Sequence, residues 1–412
     1  MRKISFYFIA FLIVGLSACT DYTTDKEVLV SLKSDVAFLA DDKLAGRAIG
    51  TQGEIEAANY IAAAFEAIGI EPKGTDGYFQ EFKVKKSTSP HEEAVIGTDG
   101  QGVTGRNVAG FINNNAVNTV VIGAHFDHLG YGEEGSLYRG ERAIHNGADD
   151  NASGTAAIIQ VARLLKHQNS NYNYLFLAFS GEENGLWGSN YFSKNSTVDL
   201  STVNYMINLD MVGRMNEEHT VAISGVGTNS LWTDKLNAAN SDSLKLVMTE
   251  SGVGPSDHTS FYLQDLPVLH FFTGQHEDYH KPSDDSDKIN YDGMLQIVHL
   301  IERLVVSLDD EEKMAFTKTN DSSGDNPRFT VSLGVVPDYL YDGEGMRIDG
   351  VSEGKPAQAA GMEKGDIVMK LGDSTIVDMM SYMRALSAFQ LGDRAVVEYK
   401  RGDELKAVQI KF

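Results

Sequence analysis

The sequence predicts an α/β protein with a mostly parallel, mixed central sheet, helices on both faces, and a small mainly-β domain at the carboxyl end. Three observations carry that prediction. Short continuous apolar runs recur at 119–124, 174–179, 205–209 and 267–272, the pattern of strands buried on both faces. A helical apolar spacing at 154–167 joins the first two, and strand–helix–strand alternation implies helices packed on a sheet. Beyond residue 309 the texture changes to a polar stretch, then to short β-like runs with turn glycines and one helix at 379–389.

Taken in order, residues 29–39 have helix-like spacing, and 53–69 form a clearer amphipathic helix ending at Gly69. Residues 79–84 alternate as a strand, and 85–106 read as loop or hairpin. The long amphipathic pattern at 289–308 closes the first domain. Residues 309–327 (DDEEKMAFTKTNDSSGDNP) contain little that packs and read as a linker. The expected division is a leader over 1–18, a catalytic domain over 19–310, a linker over 311–327 and a small domain over 328–412.

Composition bounds the function. The chain has 412 residues, 42% of them apolar and 23% charged, which suits a folded chain with a sizeable core. Lys plus Arg is 35 against 58 Asp plus Glu, a formal charge of −23. That balance argues against a nucleic-acid partner, which needs clustered positive charge. Arg2 and Lys3 precede an apolar run over 4–16 that is too short to span a bilayer as a helix and reads as a signal peptide. Leu16-Ser17-Ala18-Cys19 resembles a bacterial lipobox, which implies lipidation of Cys19, export, and a membrane anchor facing the periplasm or the cell surface. Cys19 is the only cysteine, so an internal disulfide, a thiolate nucleophile and a thiolate zinc site are all excluded.

Each apolar run ends in side chains that bind metals. His125-Phe126-Asp127 follows the first, Asp149-Asp150 opens the next helix, Glu182-Glu183 follows the second run, Asp210 the third, and His280 comes after the last. Ligands of open α/β sheets bind at the carboxyl ends of strands, so these clusters point to one place. Singly, each has a plainer reading: a structural His–Asp pair, a helix N-cap, a solvated acidic loop. Five of them in one ordered series do not.

GAHFDHLG, NGADDNASGTA, FSGEENGLWGS, NLDMVG, SDHTSF and YHKPSDD resemble the signature stations of the M28 zinc aminopeptidases, over residues 44–301. The resemblance implies a di-zinc exopeptidase-like fold and two Zn2+ ions, at the ~3.5–4 Å separation of paired-metal sites. It assigns His125 and Asp210 to one ion, Glu183 and His280 to the other, and Asp149 as the bridge, with the Asp149–Asp150 peptide cis. It makes Glu182 the general base and sets Asp127 behind His125 to fix the ring. It brings Ser256-Asp257-His258 near the site, with His258 and Tyr279 as candidates for substrate contact. His276 competes with His280 for the ligand position; His128 and His145 read as surface or supporting residues, and Trp187 as core. The implied activity is removal of N-terminal residues from peptides. The alternatives are a carboxypeptidase or amidohydrolase on the same metals, and an inactive lipid-anchored peptide-binding protein.

The carboxyl-terminal segment, with Ser332-Leu333-Gly334-Val335 and GMRIDGVSEGKPAQAAGMEKGDIVMKLGD, resembles a PDZ domain of the bacterial protease type. That resemblance implies a loop at Leu333-Gly334-Val335 for a peptide carboxylate beside an open sheet edge.

Overall fold

A computed structural model of the chain describes residues 23–85, 95–96, 102–168, 170–319, 331–338, 341, 343–351, 354–402 and 404–412. The leader and Cys19 lie outside the described residues.

The first domain is built on a ten-stranded mixed sheet. Its eight longer strands are β1 (Phe79–Lys85), β2 (Val103–Ile112), β3 (Asn118–His125), β4 (Tyr172–Phe179), β5 (Val203–Leu209), β6 (Thr220–Ser224), β7 (Lys245–Thr249) and β8 (Val268–Phe272). Their order across the sheet is β1-β2-β4-β3-β5-β8-β6-β7. The four central strands β4-β3-β5-β8 are mutually parallel, while β1, β2 and the β8–β6 pairing are antiparallel. Burial follows position: every residue of β4 and β5 is buried, whereas the edge strand β1 alternates. Continuous apolar runs therefore marked the centre, and period-two alternation marked the rim.

Helices cover both faces. On one, α1 (Asp25–Leu39), α2 (Gln52–Ile68), α3 (Gly154–Leu165) and the closing α7 (Tyr291–Ser307) share a core with β3–β5, through Leu32, Phe65, Ile158 and Ile301. Numbering the intervening helices α4 (Trp187–Lys194), α5 (Trp232–Ala239) and α6 (His258–Tyr262), the other face is packed by Phe192 of α4 and Phe261 of α6. Local chemistry agrees with these boundaries. Thr24 and Glu27 form a capping box on α1, Thr51 caps α2, and Gly69 ends α2 in the left-handed region at φ 79°.

Two sequence expectations change. Residues 85–106 do not form only a loop or hairpin, since β2 begins at Val103 and runs between β1 and β4. The early part of the expected linker is packed: Met314 is 5% exposed, its N–H donates to Asn204 Oδ1 (2.7 Å), and Phe316 meets Tyr262 edge-on. Spaced apolar residues in a polar context, Met314 and Phe316, find a groove that the sequence does not display. Residues 320–330 lie outside the described residues.

The carboxyl-terminal domain is a second sheet, ordered β9 (Val335–Pro337), β10 (Met346–Val351), β11 (Ile367–Leu371), β12 (Arg394–Arg401) and β13 (Glu404–Lys411). Two helices, α8 (Pro356–Ala359) and α9 (Met379–Ser387), close its own core of Leu333, Ile348, Leu371, Leu386 and Val397.

Candidate metal centre

The parallel strands end at one edge of the sheet. His125 at the end of β3 lies level with Phe179 at the end of β4, and Leu209 of β5 level with Phe271 of β8. The residues just past these ends meet there. His125 Nε2 lies 3.3 Å from Asp210 Oδ1, 3.4 Å from Asp150 Oδ1 and 3.9 Å from Glu182 Oε2. A second group adjoins it: His280 Nε2 lies 3.1 Å from Glu183 Oε2 and 3.2 Å from Asp150 Oδ2. Asp150 thus presents one oxygen to each group.

This corrects the expected bridge. Asp149 is fully buried and faces away: Gly213 N–H donates to its Oδ1 (2.6 Å), and its Oδ2 lies 3.1 Å from His276. The cis peptide is Asp150–Asn151, one residue later than expected. The turn is held by its own hydrogen bonds. Asp284 Oδ2 accepts from the N–H groups of Asp149 (3.0 Å) and Asp150 (3.1 Å), and Asn151 donates to Leu209 O (2.9 Å) while accepting from Met211 N–H (3.1 Å). With two acidic residues adjacent, only these contacts decide which carboxylate looks into the cleft.

Arg47, fully buried, secures the same loops from behind. It donates to the carbonyls of Leu39 (2.8 Å), Phe126 (2.5 Å), Gly147 (2.6 Å) and Asn146. Burial pulls its guanidinium down to about 10, against the opposing pull of Asp127 and Asp150. The sequence offered no signal for this residue beyond a lone arginine after Gly46.

The remaining expected residues fall as follows. Asp127 is buried behind His125, with its carboxylate 3.7 Å from Nδ1; its own backbone carbonyl is nearer, at 3.3 Å. Its Oδ1 accepts from Glu182 N–H (3.1 Å), so Asp127 also orients the acidic turn. Tyr279 stacks on the His280 ring, with centroids 3.8 Å apart. His258 does not reach the cleft: it is fully buried and stacked on His270 at 4.6 Å, because the first turn of α6 packs it against the sheet. Burial holds its imidazole well below its usual range, that is, neutral. Its neighbour Ser256 is the one that touches the site, donating to Asp210 Oδ2 (2.6 Å). His145 bonds Ser136 (2.7 Å), and Trp187 is core.

His128, read as surface or supporting, is buried and belongs to the second group, with Nδ1 2.6 Å from Glu183 Oε1. Asp257 is a second carboxyl missed in the sequence; burial and Asp210 push it up to about 7 despite the pull of His125. A polar residue next to a motif gives no sequence signal of which way it turns.

The two adjacent glutamates are driven apart electrostatically. Burial, with Asp210 and Asp257 nearby, holds Glu182 well above the usual carboxylate range despite His125. Burial acts on Glu183 as well, but His280 and His128 outweigh it and hold that carboxyl well below its usual value. Asp210, against burial, is drawn down to about 2 by His125.

The donors suit zinc. Imidazole and carboxylate atoms 3.1–3.4 Å apart match the edge of a tetrahedron, ~3.3 Å for metal–ligand bonds of ~2.0–2.1 Å. Carboxylates crowded into a buried site also repel one another unless cations lie among them.

An α/β sandwich with a paired N/O donor set at the carboxyl ends of its parallel strands defines a metallohydrolase-like protein. Residues 107–305 match Peptidase family M28 and residues 314–412 match the PDZ domain family, so the chain carries an M28 peptidase domain followed by a PDZ domain. Aminopeptidase YwaD of Bacillus subtilis is 32% identical over 181 residues, covering 40% of this chain and 39% of that protein. The chain therefore spans about two fifths of the length of that relative. Among solved structures, a Zn-dependent exopeptidase from Parabacteroides distasonis aligns with a TM-score of 0.54 at 16% identity, covering 69% of this chain and 98% of that one. A glutaminyl cyclase from Bacteroides thetaiotaomicron aligns equally well, with a TM-score of 0.54 at 18% identity, covering 70% and 99%. The shared fold thus hosts more than one reaction, and the chemistry must be argued from side chains.

Proposed function

We propose that this protein is a zinc-dependent aminopeptidase, an enzyme that hydrolyses the first peptide bond of peptides with a free amino terminus. The observation that carries the reading is Asp150, whose two oxygens face His125 and His280 at 3.4 and 3.2 Å. Two zinc ions fit: His125 and Asp210 would hold one, Glu183 and His280 the other, with Asp150 between. When bound, they supply Lewis acidity, polarising the scissile carbonyl and lowering the pKa of water toward ~7.

The chain's own groups do the rest. Glu182 reaches the His125 group without being its nearest carboxylate, and it lines the cleft. Its carboxylate accepts a proton from the attacking water as the oxygen adds to the carbonyl carbon. It returns that proton to the leaving nitrogen as the C–N bond breaks. The raised affinity of Glu182 for a proton suits the donating half of that cycle, and the ionised Glu183 suits ligation. The acidic cleft also attracts a substrate's ammonium group. Assays of aminoacyl chromogenic substrates with zinc, after chelation and after restoration test the reading. N-acetylated peptides cleaved as well as free ones would favour the amidohydrolase alternative.

The reading includes export and a lipid anchor at Cys19, supported by the leader sequence. Membrane fractionation of wild type and Cys19→Ser tests it, with release of the variant expected.

A further inference from the structure

A cavity of about 580 Å³ is lined by the metal-centre residues Asp150, Glu182 and Glu183 and also by the carboxyl-terminal domain, through Asp338, Met379 and Met383. The shared wall is one end of a trough. Its sides are β9, the edge strand, which pairs with β10 along one side among the described residues, and α9. Its floor is half-buried Val335, Met379 and Met383, packed on the core around Leu333. At the far end, Gly334 turns the chain at φ 76°, with the stem of the exposed Lys355 against it.

The direction of the trough follows from its ends. A peptide that adds to the open edge of β9 with its carboxylate at the Leu333–Gly334 loop runs antiparallel to β9. Its amino end then passes Pro337 and Asp338 and enters the cavity that holds Glu182 and Asp150. Charge agrees at both ends: Lys355 stands beside the carboxylate end, and the acidic centre faces the ammonium end.

We propose that the trough and the catalytic cleft are one track, and that the substrates are short peptides with both termini free, gripped by the carboxylate at Leu333–Gly334 while the amino end is cleaved. This rests on the aminopeptidase reading and adds a length rule. β9 takes about three residues at ~3.3 Å each, and the cavity takes a few more. Peptides of ~6–8 residues fit the track best. Shortening slows once the peptide no longer spans it.

The test uses the full-length zinc-loaded protein and leucine-led peptides of three to ten residues, each as free acid and as C-terminal amide, with leucine p-nitroanilide as reference. Free acids of ~6–8 residues are expected to show about tenfold higher kcat/KM than their amides, through KM. Lys355→Glu and Met383→Lys are each expected to reduce that preference to about twofold or less. Equal kcat/KM for acid and amide at every length, with the p-nitroanilide hydrolysed, overturns the track and leaves the aminopeptidase reading standing. Absence of turnover on every substrate overturns both.

Discussion

Asp150 and His280 meet at 3.2 Å across a gap of 130 residues, while the other Asp150 oxygen faces His125 at 3.4 Å. Asp149, next in the chain, instead binds Gly213 N–H and His276. The two neighbouring aspartates therefore have separable effects. Asp150→Asn should lose zinc from both groups and cut kcat/KM at least ~100-fold. Asp149→Ala strands a buried N–H at a cost of ~1–3 kcal/mol and acts on metal affinity only indirectly, by ~10–100-fold. Zinc content and urea unfolding of both variants separate the roles; equal zinc loss would contradict them.

Glu182→Gln keeps the size of the side chain and removes the base. The expected result is a fall in kcat of ~10²–10⁴ with zinc content and KM near wild type. Full activity in this variant would remove Glu182 from the mechanism.

His128 supports Glu183 at 2.6 Å from within the protein. Replacing it by Ala frees that carboxylate to turn, so zinc affinity at the His280 side should fall ~10–100-fold. Competition with a zinc indicator reads the change directly.

Chelation should destabilise the fold as well as stop turnover. Ligand present at a thousand times its dissociation constant adds ~4 kcal/mol to folding stability. Thermal unfolding with and without chelator, then after zinc is restored, should show a reversible drop in Tm.

Asp278 anchors the segment that carries His276 and His280. Burial opposes its charge, but Lys288 (2.7 Å), Ser283 (2.6 Å) and Arg214 (3.2 Å) outweigh it and hold the carboxyl at about 2, from an ordinary 3.8. A depressed carboxyl stabilises the fold above its unfolded value and loses that contribution as pH falls through about 2. At about 1.36 kcal/mol per unit, the upper bound is ~2 kcal/mol. Asp278→Asn should therefore cost ~1–2 kcal/mol in urea unfolding at pH 7, with the gap to wild type closing between pH 4 and 2.

The parallel strands and α3 were legible because runs buried on both faces, and one apolar stripe at helical spacing, are local patterns. β6 and β7 were not, being short and partly exposed at the sheet's far edge. The packed stretch 311–319 was not either, because Met314 and Phe316 look solvent-bound until Asn204 and Tyr262 are placed beside them.

Primary structure was enough to name the ionisable residues at the strand ends and the kind of cation they suit, since each sits at a fixed offset from an apolar run. It was silent on orientation. Whether Asp149 or Asp150 looks into the cleft, that His258 is sealed in the core, that His128 joins Glu183, and that the trough beside β9 opens on the metal centre are all long-range facts. Each depends on hydrogen-bond partners and packing surfaces tens to hundreds of residues away, and no local pattern records them.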